Sequence, residues 1–381
     1  MPINRMPTKD FINVKQRNRL DSLITDATPN CAPEIIAKVR EFCVKEFTEH
    51  PDDFDPSDVE RFTKSDWTVT RFLLRKKEDP EEAAKMIVGC ARWRHKLGMP
   101  RWKDEDFPRE FYNLGGVFPY ESDLLGNTVI YVRAKLYDRK LSCIQELFQH
   151  YIIHIANRVD NERDGRGWSI VFDCSGTGLA NMDVNMLVFM LNEVIPHLPK
   201  GLNYVLIYEL PWLLSKIVNT TIACLPSEYK KLAKTASKKD IHNWVAKEAL
   251  PDFMGGTCDI NYRRAPKNSR SFEEMAEELK LSEKDLAAIK KIYQPYLDEA
   301  DQAMALRRGK NLRRRSSVLE FWHWMKNKID TSPDENGDQN GAQTGSDSTS
   351  SSGGATKASK KTSVSKKDAP KLATVVDEGD E

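Results

Sequence analysis

The chain has 381 residues, of which 40% are apolar, and a formal net charge of +1 from 58 basic and 57 acidic residues. This balance argues against a dedicated nucleic-acid binder, because such proteins carry a strong basic excess. The length and the apolar content are sufficient for a sizeable core and for two or three domains.

The seven cysteines have no C-x-x-C pair, which predicts scattered reduced thiols in a cytosolic protein. The N-terminal residues include no apolar stretch typical of a signal peptide. No window approaches the roughly 20 apolar residues that a membrane-spanning helix needs. We therefore expect a monomeric cytoplasmic protein that is soluble or associates with membranes peripherally.

The first part of the chain is predicted to be helical. Residues 1–30 are polar and weakly patterned, so we expect a flexible N-terminus. Apolar residues at helical spacing predict a helix over Pro33–Phe47, and a second apolar and basic segment covers Asp66–Lys77. Asp79 as N-cap and Pro80 at the first helical position open a third helix, which Gly98 ends. Residues 31–112 are therefore predicted to form a helical N-terminal lobe.

The pattern becomes mixed α/β after Gly115-Gly116. Two strand-like segments flank the turn residues Asp123–Asn127 and predict a hairpin, and a helix is expected over Leu141–Val159. Two short apolar runs, Trp168–Cys174 and Leu202–Leu210, are each followed by an apolar segment of helical length. This order predicts βαβ units in a mainly parallel sheet that is covered by helices.

The two helical segments in this region are apolar on nearly all sides. They cover Met182–Ile195 and Pro211–Leu225. Helices of this kind must be buried against something, which here is either a thick protein core or an apolar ligand between helix and sheet. A short strand over Leu232–Ala236 and a helix over Lys239–Lys247 complete the predicted unit.

The C-terminal part is predicted to contain further helices and a disordered tail. S-x-x-[E/D] capping signatures open helices over Ser271–Lys280 and Ser282–Leu297, and Val318–Ile329 has an amphipathic helical pattern. We place these C-terminal helices in residues 266–329. Residues 330–381 are rich in Gly, Ser, Thr, Asp and Lys and are expected to be disordered.

No complete catalytic or metal-binding constellation can be assembled. Ser175 lacks the G-x-S-x-G context of a hydrolase nucleophile, and the glycines that follow Cys174 lack the third glycine of a nucleotide-binding loop. His150 and His154 would share a helix face, but packing explains them better than a metal does. Asp173 and Glu209 end strands and fit turn capping as well as ligand binding. We therefore predict no cofactor, no metal and no enzymatic activity.

Six motifs in order resemble the CRAL-TRIO lipid-binding family. They are R-F-L-L-R-K-K at 71–77, A-R-W-R-H-K-L-G at 91–98, D-x-x-G-N-T-V-I at 123–130, V-F-D-x-S-G at 171–176, L-I-Y-E-L-P-W at 206–212 and L-P-x-x-M-G-G at 250–256. The resemblance implies a mixed, mainly parallel sheet with flanking helices and a gate helix, preceded by a helical lobe. It places the lipid-binding domain at residues 113–265.

The resemblance also implies candidate site residues. The gate corresponds to Pro211–Leu225, and its apolar side is formed by Trp212, Leu213, Leu214, Ile217, Val218 and Ile222. Among the headgroup-binding positions of phosphatidylinositol-transferring members, Lys76, Lys77 and Lys231 match basic residues of the pattern. Glu228 lies at the family's threonine position and Lys200 at its acidic position, which departs from the phosphoinositide pattern.

We therefore expect a non-enzymatic carrier or sensor of a hydrophobic small molecule or phospholipid that makes transient contact with membrane surfaces. The alternative is a scaffold protein with a collapsed cavity, whose tail recruits partners or membrane. Arg313–Ser317 fits a basophilic kinase pattern that ends at Ser317. The following segment, Val318–Ile329, combines tryptophans and lysines as interfacial helices do, although packing onto the domain explains it equally well. We hypothesise that a phosphate at Ser317 weakens attraction to anionic lipid.

Overall fold

The structure, a computed structural model, describes the backbone of residues 31–161 and 167–330 and the side chains of residues 31–160 and 167–306. The predicted flexible N-terminus (1–30), the tail beyond 330 and the side chain of Ser317 lie outside these ranges. Contacts divide the chain into residues 1–315 and 316–381. In the second unit, the described residues 316–330 are helical.

The described chain begins with four α-helices around an apolar core: α1 (Pro33–Glu49), α2 (Pro56–Lys64), α3 (Asp66–Arg75) and α4 (Pro80–Leu97). The predicted cap of α4 is confirmed, since Asp79 accepts the N–H of Glu82 at 3.0 Å. Gly98 ends this helix at φ +69°, a left-handed conformation that glycine adopts without strain. Helix α2 was not predicted, because its Pro- and Asp-rich start resembles a loop.

A five-stranded sheet follows the short helix α5 (Arg109–Leu114). Its strands, β1 (Val117–Ser122), β2 (Thr128–Arg133), β3 (Trp168–Asp173), β4 (Leu202–Tyr208) and β5 (Ala233–Ala236), lie in chain order. The hairpin β1–β2 is antiparallel and the other three pairings are parallel. The mixed, mainly parallel sheet predicted from the sequence is therefore confirmed.

The hairpin turn is held by one buried carboxylate. Asp123 accepts the backbone N–H groups of Leu125 and Asn127, both at 2.9 Å, and the hydroxyl of Tyr204, also at 2.9 Å. A buried carboxylate needs such donors, because desolvation without hydrogen bonds is costly. Burial raises the pKa of Asp123, and these donors act against that rise.

The three parallel connections carry helices over the sheet. They contain α6 (Gln145–Asn161), α7 (Val184–Phe189), and α8 (Trp212–Cys224) with α9 (Ser227–Leu232). Helix α7 continues into a π-helical turn over Met190–Val194 and a 3-10 turn over Ile195–His197. Parallel connections are right-handed, and strands β2 to β5 follow one another in one direction, so these helices belong to one face of the sheet.

The opposite face is covered by the chain that follows β5. Trp244, Val245 and Leu250 are buried there against Tyr204 and Leu206 of β4. The helix predicted over Lys239–Lys247 is wrong, because this segment contains a single 3-10 turn, Ile241–Asn243. A short turn suffices to direct the apolar side chains of this segment towards the sheet, whereas a straight helix would point some of them to solvent.

The C-terminal prediction was partly wrong. Both S-x-x-[E/D] signatures do cap: Ser271 Oγ accepts the N–H of Glu274 at 3.1 Å, and Ser282 Oγ that of Asp285 at 3.2 Å. The first opens a run of turns instead of the predicted helix over Ser271–Lys280. The second precedes one continuous helix, α10 (Glu283–Asp330), where the sequence suggested two. Among the described residues, no helix is both long enough and apolar enough to cross a bilayer.

Candidate ligand-binding site

One face of the sheet is apolar but incompletely covered in its middle. Ile170 and Phe172 of β3 are half-buried, and so is Val205 of β4, the register partner of Ile170. They share this face with Ile130 and Val132 of β2, which are buried beneath α6. We call Ile170, Phe172 and Val205 the apolar floor. Central strands of a parallel sheet are normally buried on both faces, so this floor lacks a full cover.

The helices that belong over the floor are themselves poorly buried. No side chain of α7 or of the two turns that follow it is buried, and Val184 and Val188 are exposed. Of the two explanations for this apolar segment, a thick protein core therefore does not apply to α7, and an apolar ligand stays a prediction. His197 in the last of these turns stacks on Trp93 of α4 at 4.6 Å between ring centres, but apolar side chains of α7 itself stay exposed or half-buried.

The predicted gate residues of α8 fall into three groups. Leu214 is buried at 1% exposure, whereas Ile217, Val218 and Ile222 are half-buried. Trp212 and Leu213, at the start of the helix, are 85% and 51% exposed. Such exposure of a tryptophan is unusual in a soluble protein and is typical of an interaction surface.

The connection from β4 to α8 contains a residue in a strained conformation. Glu209 has φ +49°, which is unfavourable for a residue with a side chain. The conformation is held by its N–H, which donates to Ala236, and by its carboxylate, which accepts the N–H of Lys238 at 2.5 Å. The sequence suggested turn capping for this residue, and these bonds agree with that role.

A cluster of positive charge lies where the helical lobe meets the end of α9. Its members are Arg75 of α3, Lys200 before β4 and Lys231 of α9. Lys200 has a lowered pKa because it is partly desolvated and because Arg75 and Lys231 add positive charge nearby. We call these three residues the basic cluster. Like charges are costly to gather, so such a cluster is typical of an anion-binding site.

Arg75 is held in place by two contacts from α9. It pairs with Glu228, and its guanidinium lies 4.6 Å from the ring centre of Tyr229. The Tyr229 hydroxyl donates to the carbonyls of Leu198 at 3.1 Å and Ile195 at 3.3 Å. Helix α9 therefore joins Arg75 to the segment that precedes Lys200. Glu228, which departs from the family pattern, has a structural partner here.

Lys200 is also fixed from the lobe side. Its N–H donates to the carbonyl of Arg71 at 3.3 Å. The Arg71 guanidinium in turn makes two 2.7 Å hydrogen bonds to Asp160 of α6. Gly201, the residue after Lys200, packs against this ion pair and has φ +151°. A Cβ added at Gly201 would stand 3.3 Å from Asp160 Oδ1 and 3.5 Å from Arg71 Nη1. The position of Lys200 thus depends on close packing that only glycine permits.

Of the three predicted headgroup residues, the structure gathers one into the basic cluster. Lys231 is a member, whereas Lys76 and Lys77 follow Arg75 at the end of α3, half-buried and exposed respectively. Sequence reasoning did not select Arg75 and Lys200. Lys200 was noted only as a departure from an acidic position, and the adjacent Gly201 is the local signal that a specific backbone geometry is required there.

The other chemical candidates have structural explanations. Burial raises the pKa of Cys174 to about 12, which makes it a poor nucleophile, and Asp173 accepts the N–H of Ser175 at 3.0 Å within the turn. His154 bonds Asp104 at 2.8 Å. Within the described ranges, no group of three or more His, Cys, Asp or Glu side chains is arranged to hold a metal ion.

Comparison with known proteins agrees with this architecture. Residues 113–256 match the CRAL/TRIO domain family. These residues form a CRAL/TRIO domain. From the six motifs given above, we further predict a closer resemblance of this domain to the CRAL-TRIO domain of motile sperm domain-containing protein two.

Several curated proteins are similar to this chain. "Phosphatidylinositol transfer protein CSR1" of Eremothecium gossypii is 25% identical over 51% of this chain and 48% of its own length. "CRAL-TRIO domain-containing protein C3H8.02" of Schizosaccharomyces pombe is 24% identical over 52% of this chain and 47% of its own length. Human "Tyrosine-protein phosphatase non-receptor type 9" is 22% identical over 62% of this chain and 40% of its own length. The similarity thus spans half or less of the length of each relative.

Among solved structures, "Crystal structure of Sfh5" is similar to 65% of this chain and 95% of that chain. The TM-score is 0.47 and the sequence identity is 11%.

Proposed function

We propose that the CRAL/TRIO domain holds one lipid molecule between the apolar floor and helices α7 and α8. The observation that carries this proposal is the matched pair of under-covered apolar surfaces. Ile170, Phe172 and Val205 face the helices from the sheet, while the helices leave their own apolar residues half-exposed. Burying an acyl chain there would remove this surface from water at about 25 cal/mol per Å².

We further propose that the basic cluster receives an anionic headgroup. A phosphate near Arg75, Lys200 and Lys231 would neutralise charges that now oppose one another. The similarity to a protein named for phosphatidylinositol transfer supports a phospholipid as the ligand. Because a lysine stands at the family's acidic position, we expect preference for headgroups of higher negative charge.

Helix α8 serves as the gate in this proposal, and its start touches the membrane. Trp212 and Leu213 would enter the interfacial layer, where a tryptophan ring is favourable. Glu209, strained at the base of the connection, is suited to act as a hinge, since backbone strain is often stored in segments that move. A gate that opens at the bilayer lets the lipid exchange without exposing its chains to water.

The proposal is tested by native mass spectrometry and by vesicle-to-vesicle transfer of fluorescent phosphatidylinositol and phosphatidylcholine. We expect one co-purifying lipid in the wild type, and loss of both lipid and transfer in Val205→Trp, whose side chain would fill the space above the floor. Val44→Trp, at an exposed position of α1, is the matched control and should retain both. A wild-type protein that stays empty after incubation with either lipid would refute lipid binding and favour the scaffold alternative.

A further inference from the structure

Two arginines on the opposite face of the sheet are buried without carboxylate partners. Arg133, at the end of β2, and Arg263, in the segment after β5, are 5% and 9% exposed. Arg133 follows Val129 and Tyr131 on the face that is buried beneath the 241–254 segment. The apolar floor lies on the other face, so the sheet separates these arginines from the proposed lipid.

The hydrogen bonding of both guanidinium groups is incomplete. Arg133 Nη1 makes one long bond of 3.4 Å to the carbonyl of Leu114, and the side chain of Arg263 makes none with the described residues. The Nε atom of each is enclosed and unpaired. Aromatic rings give partial compensation, with Arg133 4.4 Å from the ring centre of Phe253 and Arg263 5.0 Å from that of Tyr262. Five donors on each group thus remain largely unused.

Both side chains contact the same turn, at Leu114 and Gly115. Arg133 reaches the carbonyl of Leu114, and a Cβ on the next residue, Gly115, would stand 3.0 Å from Cγ of Arg263 and 2.7 Å from the ring of Tyr262. Gly115 has φ +59°, so both its conformation and its surroundings require glycine. The pKa of Arg133 is lowered by burial and by the positive charge of Arg263, which agrees with their proximity.

The nearby acids do not neutralise this pair. Asp173 and Glu299 add favourable charge at Arg133, yet within the described ranges neither forms an ion pair with Arg133 or Arg263 within 4 Å. Asp173 accepts the N–H of Ser175 instead, and Glu299 is exposed. A buried charge without a partner is strongly unfavourable, so nearby unpaired arginines indicate that an anion completes the arrangement. The unpaired terminal nitrogens of both residues, unlike their Nε atoms, are not fully enclosed.

We propose that Arg133 and Arg263 form a second binding site, for the oxyanion of a phosphate group. Guanidinium groups bind phosphate oxygens through paired N–H donors, and two of them match the double charge of a phosphate. This site lies on the sheet face opposite the apolar floor and does not depend on the lipid proposal. The phosphate belongs either to a free ion or to a membrane lipid, and the experiment distinguishes these sources.

The first arm is calorimetric titration of the full chain with inorganic phosphate at constant ionic strength. We expect saturable binding in the wild type and a loss of roughly ten- to hundredfold in affinity in Arg133→Gln and Arg263→Gln, since each removes charge-assisted bonds. Arg263→Lys keeps the positive charge but loses the paired N–H donors of the guanidinium group. Its affinity for phosphate should lie between those of the wild type and Arg263→Gln. The matched control is Arg264→Gln, because Arg264 is the exposed neighbour in sequence and should bind like the wild type.

The second arm uses vesicles of phosphatidylcholine with and without phosphatidic acid. If the phosphate belongs to a membrane lipid, Arg133→Gln and Arg263→Gln abolish the increment due to phosphatidic acid, while co-purified lipid is unchanged. In Lys200→Ala, the component of phosphate binding that Arg133→Gln and Arg263→Gln remove should persist, which separates this site from the basic cluster. A wild type that shows neither saturable phosphate binding nor a vesicle increment due to phosphatidic acid overturns the proposal, and this outcome does not require any variant to fold. Binding that is unchanged in folded Arg133→Gln and Arg263→Gln overturns it as well.

Discussion

Arg71 of the helical lobe and Asp160 of helix α6 form a bidentate ion pair with two hydrogen bonds of 2.7 Å. The Asp160 carboxylate also accepts the indole N–H of Trp168 at 2.9 Å, and the Arg71 carbonyl accepts the N–H of Lys200. One buried pair therefore fixes the lobe, the first residue of β3 and a member of the basic cluster.

Removing one partner of this pair should destabilise the protein strongly. We expect Arg71→Met to lower the free energy of unfolding by about 3–5 kcal/mol, because it leaves the Asp160 charge buried and unpaired. Arg40→Met is the control. The Arg40–Asp66 pair is largely exposed on the Asp66 side, and its loss should cost at most about 1 kcal/mol. Urea unfolding monitored by fluorescence measures both changes, and similar losses would contradict the assigned role of the buried pair.

The same pair predicts a dependence of stability on pH. Burial alone would raise the pKa of Asp160, but the charge and hydrogen bonds of Arg71, with the bond from Trp168, outweigh burial and lower it. A lowered pKa contributes stability that is present above the unfolded value near 3.9 and is lost as pH falls through the folded value. Asp160→Asn should therefore flatten the loss of unfolding free energy below about pH 4. An unchanged acid slope in the variant would show that other groups control acid unfolding.

Gly201 should be intolerant of a side chain. Gly201→Ala introduces a Cβ in tight contact with Asp160 at a φ unfavourable for alanine, and we expect a loss of about 1–3 kcal/mol. Gly89 is the matched control, because it lies within α4 and a Cβ added there would meet nothing within 4 Å. Gly89→Ala should instead stabilise by about 0.5–1 kcal/mol through helix propensity. Thermal unfolding of both variants measures this difference in sign.

The basic cluster predicts a preference for anionic lipid that depends on charge. Lys200→Ala should weaken retention of an anionic phospholipid relative to phosphatidylcholine by about tenfold, because a partly buried cation is lost. Lys96→Ala, at an exposed position of α4, is the control. Since the pKa of Lys200 is lowered, the wild-type preference should decline with rising pH before ordinary lysines lose their charge. Equal effects of Lys200→Ala and Lys96→Ala on lipid retention would show that the basic cluster does not bind the headgroup.

Trp212 should govern membrane contact rather than lipid retention. Trp212→Ala removes the most exposed large apolar side chain of α8 and should reduce co-sedimentation with vesicles by about tenfold, while the bound lipid remains. Phe42→Ala, at a 46% exposed site on α1, controls for general loss of exposed apolar surface. If both variants sediment like the wild type, the start of α8 is not the membrane contact.

A phosphate at Ser317 remains a prediction from the sequence. We expect Ser317→Glu to weaken binding to vesicles that contain phosphatidylserine and to leave binding to neutral vesicles unchanged, because added negative charge opposes anionic lipid. Ser316→Ala serves as the neighbouring control. Equal sedimentation of wild type and Ser317→Glu would end this hypothesis.

The fold could be predicted from the sequence where one local pattern determines one structure. The alternation around Asp123–Asn127 and the apolar runs of β3 and β4 specify strands, and Asp79-Pro80 specifies a helix start. Local patterns failed where long-range packing decides. The segment around Trp244 has a helical pattern but forms a turn against the sheet, and α10 continues where the sequence suggested an interruption.

The candidate site was predicted only in part, for a physical reason. Apolar composition identified α8 but could not reveal that Trp212 is exposed while Leu214 is buried, since helix composition does not report what covers each side. The basic cluster joins residues that are 125 positions apart in the chain, Arg75 and Lys200, and no sequence pattern encodes that proximity. Arg263 likewise shows its missing partner only once the fold encloses it.

The apolar side chains beneath Trp244 and Leu250 are buried by the protein itself, although they share the sheet with the apolar floor. With a lipid on the other face, as proposed, the protein would have a permanent interior on one side and a replaceable one on the other. Release of the lipid would then loosen α7 and α8 but leave the strands anchored, and we expect the protein to stay folded until it takes up the next lipid.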